Sequence, residues 1–333
     1  MVPVQTNLKV NIKIRINKKS RLIDLFAGTG AFSHSFEDTG NFKCVFANDM
    51  VPMSKKIYDL NHDNKLTLGD LNKLDVDTDI PNHDILCGGF PCQPFSIAGQ
   101  RKGFNDSRSN VFWKILEILE KKRPAIIVLE NVKNLTTHDK GNTYKTIKTK
   151  LEALGYNLKD KVLDTSIITE IPHHRERIYI VGFLNKDHHD AFNFEFPTIK
   201  QKNIIDFLEN DIPAKYYYTD KLKVYNTVLN AVTKHINTNT LYQYRRTMVR
   251  ENKTNRCPTL TANMGGGGHN VPILKDDIGI RKLTPRECFN LQGFPNTYKL
   301  PTNLCDSNLY KLAGNAVSVP VVQLIANKIN AII

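Results

Sequence analysis

The sequence predicts an α/β protein of the doubly wound, Rossmann-like class, with a small irregular domain inserted before its C-terminal segment. Between about residues 21 and 184, short apolar strands alternate with amphipathic helices, which is typical of a mostly parallel sheet covered by helices. The first strand runs through a Gly-x-Gly turn at 28–30 into a helix and a second strand, which indicates a βαβ unit. From about residue 185 to 275 this alternation is lost, and it returns near Arg281.

Composition limits the possible classes of protein. The chain has 333 residues, 41% of them hydrophobic, which is enough for a large core. A net charge of +13 favours a polyanionic partner such as nucleic acid, although charge alone leaves this open. No apolar run approaches the ~20 residues of a membrane span. Residues 1–18 alternate apolar and basic side chains, which predicts an extra strand or a basic arm and not a signal peptide.

The six cysteines form no CxxC pair and no spacing with histidine that is typical of zinc. We therefore expect no metal site and a reduced, cytoplasmic protein.

The Gly-x-Gly turn predicts a cofactor site. Asp49 ends the second strand about twenty positions after the turn, where a ribose-binding carboxylate is expected. Ser33 replaces the third glycine of the dinucleotide motif, which favours a nucleoside without pyrophosphate and argues against a nicotinamide-dependent oxidoreductase. Asp70 follows a short strand, where it either accepts from an exocyclic amine or caps the next turn.

The segment GGFPCQPFS at 88–96 places Cys92 just beyond a predicted strand, at the sheet edge where open α/β proteins bind ligands. An inert, buried cysteine is the ordinary alternative, but the flanking glycines and prolines are atypical of a core. Glu130 follows the strand at 125–129 and reaches the same edge. Burial would raise its pKa and suit it to act as an acid, whereas a helix cap or a surface charge is the alternative.

Two further regions carry positive charge. Arg175 and Arg177 project to one side of an extended segment, which suits a phosphate or carbonyl oxygen, or else a solvated surface. From 216 to 256, tyrosines are mixed with lysines and arginines, and four glycines follow at 265–268. This mixture favours nucleic-acid binding, with a flexible insertion as the alternative.

Taken together, these segments resemble the cytosine-C5 DNA methyltransferase family over nearly the whole chain. The motifs that carry the resemblance are DLFAGTG at 24–30, GDL at 69–71, GFPCQ at 89–93, ENV at 130–132, RER at 175–177, RE at 286–287 with LQGFP at 291–295, and GN at 314–315. Each motif is weak alone, but all of them occur in the family's order. The basic segment also stands where the family has its target-recognition domain.

The resemblance implies a DNA (cytosine-5-)-methyltransferase that uses S-adenosylmethionine and no metal. In this family a cysteine adds to C6 of a flipped-out cytosine, so that C5 can take a methyl group. Cys92 would be this nucleophile. Glu130 would hold N3 and the exocyclic amine, Arg177 would donate to O2, and Arg175 would support the backbone or the loop.

The resemblance also implies where the methyl donor and the DNA bind. The ribose would lie on Asp49 and the adenine beside Asp70 and Leu71, with Asn315 returning to the same pocket. The amino-acid part would lie along Phe26, Ala27, Gly28, Thr29 and Gly30. The residues expected at the DNA are Gln93, Ser96, Arg245, Arg246, Thr259 and Leu260.

The implied domains are a catalytic and S-adenosylmethionine-binding domain at 1–184, a target-recognition domain at 185–278, and a returning C-terminal segment at 279–333. We expect a monomer that binds double-stranded DNA and no membrane. A cognate restriction endonuclease is expected as a genetic partner, not as a stable complex. A tRNA cytosine-C5 methyltransferase and an inactive DNA-binding regulator are the alternatives.

The chain departs from the family's pattern at two places. His173 stands where glutamine is usual, which bears on hydrogen bonding around the flipped base, and Arg108-Ser109 stands where Arg-Gly is common.

Overall fold

The computed structural model describes residues 19–91, 111–222, 225–232, 240–245, 248–252, 254–266 and 271–333. Several residues that the sequence singles out lie outside the described residues: Cys92, Gln93, Ser96, Arg108, Ser109 and Arg246. The same holds for the arm at 1–18, and for Arg245 only the backbone is described.

Seven strands form one large sheet in the order β3-β2-β1-β4-β5-β7-β6. The parallel strands are β1 (Ser20–Leu25), β2 (Phe42–Asp49), β3 (Thr67–Leu68), β4 (Ile85–Gly89) and β5 (Ile126–Val132). Strand β7 (Glu176–Phe183) is antiparallel to both of its neighbours, β5 and β6 (Asn157–Asp164). The strand order reverses between β1 and β4, which is where doubly wound sheets open a ligand crevice. The predicted fold class is confirmed.

The α-helices of the described residues are α1 (Ala31–Asp38), α2 (Pro52–Asn61), α3 (Val111–Lys122), α4 (Asn142–Ala153), α5 (Thr165–Ile168), α6 (Lys186–Ala191), α7 (Tyr225–Val232), α8 (Pro285–Leu291), α9 (Asp306–Asn315) and α10 (Val319–Asn330). The large sheet is covered on both faces, with α1 and α10 on one and α3 and α4 on the other. Successive strand residues enter opposite cores because side chains alternate across a sheet. Ile127 packs with Ile115 of α3, whereas Val128 belongs to the core that contains Ile325 of α10.

A second, antiparallel sheet has the order β11-β10-β8-β9. Its strands are β8 (Tyr242–Arg245), β9 (Met248–Glu251), β10 (Ile273–Lys275) and β11 (Ile280–Lys282). Val228 and Val232 of α7 share a core with Tyr242 and Ile273 of this sheet. The region is thus more regular than predicted, because strands of three or four residues are too short to show periodicity. Since β10 pairs with β11, the expected boundary at 278 falls inside a hairpin.

One described stretch, Asp306–Asn330, has the length and composition of a membrane-spanning helix. It consists of α9 and α10, which are separate helices, and 67% of its most apolar window is buried. Val322 and Ile325 lie wholly inside the core of the large sheet. The apolar character of this stretch is therefore explained by packing inside the protein.

A buried ion pair fixes the start of the C-terminal segment. Arg281 donates to both carboxylate oxygens of Glu287, each at 2.8 Å, and both side chains are almost inaccessible. The same carboxylate accepts from the main-chain nitrogens of Thr284 at 2.7 Å and Glu209 at 3.0 Å. Glu287 thereby joins β11, α8 and the chain near Glu209.

Replacing Glu287 with glutamine is expected to lower the free energy of unfolding by about 3 kcal/mol, because among the described residues the buried Arg281 charge then keeps Asp276 alone as an ion-pair partner. Urea denaturation measures this change. Asp190→Asn is the control, since its ion pair with Lys186 is largely exposed to solvent and should contribute little to stability. Equal losses in the two variants would contradict the prediction.

Candidate active site

The turn after β1 is held in an unusual backbone conformation. Phe26, Gly28 and Gly30 have φ angles of 56°, 55° and 73°, in the left-handed region that a non-glycine residue such as Phe26 rarely adopts. Gly28 N donates to Asp49 Oδ2 at 2.9 Å, and Gly30 N donates to Ala27 O at 2.7 Å. The predicted turn and the predicted carboxylate are therefore in direct contact.

Asp49 lies at the carboxyl end of β2 and is 9% exposed. It also accepts from Val51 N at 2.8 Å, but burial outweighs these hydrogen bonds and raises the pKa of its carboxyl group. Strand β3 pairs with the end of β2, so Asp70 and the buried Leu71 come close to Asp49. The side chain of Asp70 accepts from Asn72 N at 3.0 Å, which confirms the capping interpretation.

A buried carboxyl group, that of Asp24, links the end of β1 to α1 across the turn. Asp24 is completely buried, and its Oδ2 accepts from Ser33 N at 3.1 Å and Ser33 Oγ at 2.7 Å. Ser33 Oγ also lies 2.9 Å from the hydroxyl of Tyr58. The serine that replaces the third glycine thus binds the carboxylate at the end of β1. Sequence reasoning included Asp24 in a motif but gave neither residue this task.

Burial raises the pKa of Asp24 to about 6 in the folded protein, whereas in the unfolded chain its pKa is near 4. Between pH 4 and pH 6 the folded protein therefore keeps a proton on Asp24 that the unfolded chain has released. The stability that Asp24 contributes is therefore highest below pH 4 and falls as the pH rises to 6. Asp24→Asn should remove this loss, so that the variant gains up to about 3 kcal/mol relative to wild type between pH 4 and pH 7. Unfolding at several pH values measures the difference, and a constant difference would contradict it.

Glu130 and Arg177 form the centre of the site. Glu130 lies on β5 opposite Gly89 of β4 and is 7% exposed. Arg177 Nε is 3.1 Å from Glu130 Oε1, but the groups are not aligned, and this oxygen has no hydrogen-bond partner among the described residues. Burial raises the pKa of Glu130, while Arg177 and Arg175 oppose the rise. The surface and capping alternatives for Glu130 are wrong.

Arg175 hydrogen-bonds to main-chain carbonyl groups, not to this carboxylate. Its guanidinium donates to Ala316 O at 2.7 Å, Leu260 O at 3.1 Å and Gly314 O at 3.4 Å. Burial lowers its pKa to about 9. Arg175 therefore ties the segment around Leu260 to the C-terminal segment, which fits a supporting role for this residue.

The C-terminal segment returns to the turn, as the resemblance implies. Tyr298 is buried and donates its hydroxyl to Thr29 O at 2.6 Å, a contact across 269 residues that no local pattern indicates. Gln292 is also buried and donates to Ala313 O at 2.6 Å. Asn315 is exposed at the end of α9. Sequence reasoning assigned nothing to Tyr298.

The whole chain was compared with known proteins. A family model described as C-5 cytosine-specific DNA methylase matches residues 20–331. The Type II methyltransferase M.Bsp6I of Bacillus sp. (strain RFL6) is 48% identical over 314 residues, which cover 93% of this chain and 98% of that protein. The Type II methyltransferase M.HaeII of Haemophilus aegyptius is 42% identical over 311 residues, covering 93% and 92%. This chain belongs to the C-5 cytosine-specific DNA methylases.

A solved structure shares the fold. The Dnmt2 methyltransferase of S. pombe superposes with a TM-score of 0.70 at 24% identity, covering 94% of this chain and 99% of the other. Family membership makes the present protein a DNA cytosine-5-methyltransferase, and it implies a methyl donor and a DNA substrate. The expectations for fold and activity are thus confirmed.

In this methylase, α9 packs directly on the main chain of residues 261–262. A β-carbon added at Gly314 would lie 2.2 Å from the carbonyl carbon and oxygen of Thr261 and 2.7 Å from Ala262 N. Backbone atoms cannot move aside as a flexible side chain does. Only glycine therefore allows this close approach.

Gly314→Ala is expected to lower the free energy of unfolding by at least about 2 kcal/mol, because the added methyl group forces α9 and the 261–262 segment apart. Thermal unfolding followed by circular dichroism measures the loss. Gly279→Ala is the matched control, since its β-carbon would meet only Tyr217 at an ordinary 3.7 Å. Two variants of equal stability would contradict the packing argument.

A separate cavity of about 940 Å³ lies between α8, α10 and the chain at 199–211. It is lined by residues such as Glu170, Arg286 and Pro320. None of the site residues implied by the resemblance lines it. The cavity is therefore distinct from the crevice at the carboxyl ends of β1, β4 and β5.

Proposed function

We propose that this methylase transfers a methyl group to C5 of a cytosine extruded from a short duplex site, with Cys92 as nucleophile and Glu130 and Arg177 as the residues that hold the base. One observation supports this most strongly. Glu130 is a buried carboxyl group beside an arginine, opposite the end of the strand that leads to Cys92. Its Oε1 lies beside Arg177 but accepts no hydrogen bond from the described residues, so it offers a hydrogen-bonding position for a ligand.

The chemistry requires a nucleophile and groups that stabilise the charge that develops in the ring. Cys92 Sγ adds to C6, which makes C5 electron-rich, and Glu130 supplies a proton or hydrogen bond to N3 as negative charge moves into the ring. Arg177 stabilises O2 as the ring gains charge. After the methyl group is in place, a base removes the C5 proton and the bond between C6 and Cys92 breaks, which restores the thiol.

S-adenosylmethionine would supply an electrophilic methyl group at this crevice. The fit rests on the left-handed backbone of the turn at Phe26–Gly30 and on its direct contact with the buried carboxyl group of Asp49. Asp49 would bind the ribose hydroxyls, while Asp70 and Leu71 would border the adenine. Asn315 is exposed at the end of α9 and would complete the pocket.

The small domain would read the DNA. We place its boundaries at about 195 and 282 instead of the expected 185 and 278. Phe192 and Phe194 pack in the core of the large sheet, and β11 belongs to the small sheet. Thr259 would contact the DNA together with Arg245 and Arg246, and Gln93 and Ser96 would act from the loop after Cys92. Leu260, expected at the DNA from the sequence, is only 1% exposed and packs in the core, so it would support this segment from beneath. The chain's charge of +13 favours this partner.

Two relatives are named Type II methyltransferases, which supports a role in protecting cytoplasmic host DNA from a cognate restriction endonuclease. We propose that the enzyme acts as a monomer on DNA and that it forms no stable complex with that endonuclease.

Methyl transfer from labelled S-adenosylmethionine to duplex DNA and to tRNA tests the substrate. We expect label in DNA alone, and bisulfite sequencing of the methylated plasmid should then place it at cytosines in one short sequence. Label only in tRNA would favour the RNA-acting branch of the same chemistry, and label in neither would contradict the proposal.

A further inference from the structure

A buried joint connects the large sheet to the proposed recognition domain. We define this joint as residues 172–175 together with residues 257–260. The two segments run side by side: Cys257 N donates to Pro172 O at 2.5 Å and His174 N donates to Cys257 O at 2.8 Å. Thr259 Oγ1 adds a bond to His174 O at 2.7 Å. The joint is therefore a main-chain pairing with a fixed register.

His173 stands at the centre of the joint and is completely buried. Leu260 N lies 3.2 Å from His173 Nε2, and Leu291 O lies 3.1 Å from His173 Nδ1. A main-chain N–H only donates and a carbonyl only accepts. Both contacts together therefore require a neutral imidazole that carries its proton on Nδ1.

The surroundings of His173 also favour the neutral ring. Burial lowers its pKa well below the ordinary value, and Arg175, Arg177 and His174 act in the same direction. The Leu291 carbonyl opposes them. The imidazole thus satisfies two buried main-chain groups without bringing a charge into the joint.

The joint leads directly to the catalytic pair. His173 and Arg175 hold the two main-chain polar groups of Leu260, its nitrogen and its oxygen. Two residues further on, Arg177 faces Glu130. Along an extended chain these five residues span only about 13 Å. If the main chain at Leu260 moves relative to residue 173, it therefore also moves relative to Glu130 and Arg177.

We propose that His173 is a positioning residue, whose imidazole fixes the main chain at Leu260 and so sets where the bound duplex lies relative to Glu130 and Arg177. This rests on the proposed role of the small domain in reading DNA. The family's usual glutamine has one amide donor and one amide acceptor, so it offers the same pair of bonds. Histidine at position 173 therefore keeps the hydrogen-bonding capacity of the family's usual glutamine.

Two variants separate positioning from space filling. His173→Leu fills the site but leaves Leu260 N and Leu291 O without partners, so kcat/KM for duplex DNA should fall at least about tenfold. His173→Gln should stay within about threefold of wild type. Binding of S-adenosylmethionine by either variant should stay within about twofold, since the turn at 26–30 is not touched. Equal activity of the leucine and glutamine variants would overturn the proposal.

If His173→Leu does not fold, His173→Asn takes its place, because its shorter amide cannot reach both partners. Nitrogen-15 NMR of histidine-labelled wild type tests the joint without any substitution. The resonances should show a neutral ring protonated on Nδ1, and a ring protonated on Nε2 would overturn the proposal. This measurement is independent of methylation, so a failure of the proposed function and a failure of the joint are distinguishable.

Discussion

Cys92→Ser is expected to lower methyl transfer to duplex DNA by at least about 10⁴-fold, because a serine hydroxyl is a far weaker nucleophile towards C6 than a thiolate. Transfer from labelled S-adenosylmethionine in a single turnover measures the change. Wild type should also form a stable covalent adduct with duplex DNA that contains 5-fluorocytosine at the target. The serine variant should form none.

The structure gives a physical reason to expect this outcome. Strand β4 ends at Gly89, where an added β-carbon would lie only 3.5 Å from Glu130 Oε2. Phe90 O is then fixed by Asn131 Nδ2 at 2.8 Å. The chain therefore leaves the sheet beside the buried carboxyl group, three residues before Cys92.

Cys305→Ser is the matched control, because Cys305 is the exposed free cysteine among the described residues and lies in none of the proposed sites. It should retain wild-type transfer and adduct formation. Substantial transfer by Cys92→Ser would exclude covalent catalysis through residue 92.

Glu130→Gln is expected to lower kcat by about 10²- to 10⁴-fold, the range of general acid–base catalysis, while S-adenosylmethionine binding stays unchanged. Glutamine keeps the shape of the side chain but cannot give a proton to N3 of the ring. It also removes the negative charge beside Arg177, so the arginine loses its ion-pair partner in the site. Steady-state kinetics on duplex DNA and calorimetry of cofactor binding measure the two quantities.

Glu176→Gln controls for a general loss of negative charge near Arg177. Glu176 precedes Arg177 on β7, but its carboxylate forms a solvent-accessible ion pair with Lys133 at 2.7 Å. This variant should keep kcat within about twofold, since exposed pairs contribute little. If both variants kept full activity, Glu130 would have no part in the chemistry.

The elements of the large sheet could be predicted because their patterns are local. Apolar runs such as 85–87 and 126–129 are long enough to mark buried strands, and glycine turns mark their ends. Predicted strand bounds therefore differ from the structure by only a few residues. The small sheet escaped prediction because its strands are short and are paired across a gap in sequence, as β8 is with β10.

The sequence by itself determined the fold class, the order of the motifs and the family, because these depend on periodicity and on residue types at short spacing. Only the tertiary structure decided which groups meet: Ser33 with Asp24, Tyr298 with Thr29, and His173 with Leu260 and Leu291. The contacts of Tyr298 and His173 join residues 87 to 269 positions apart, and their hydrogen-bond geometry arises only when separate elements pack. For the same reason, the sequence shows His173 only as a departure from the family's motif, whereas the structure shows that it lies at the centre of the buried joint.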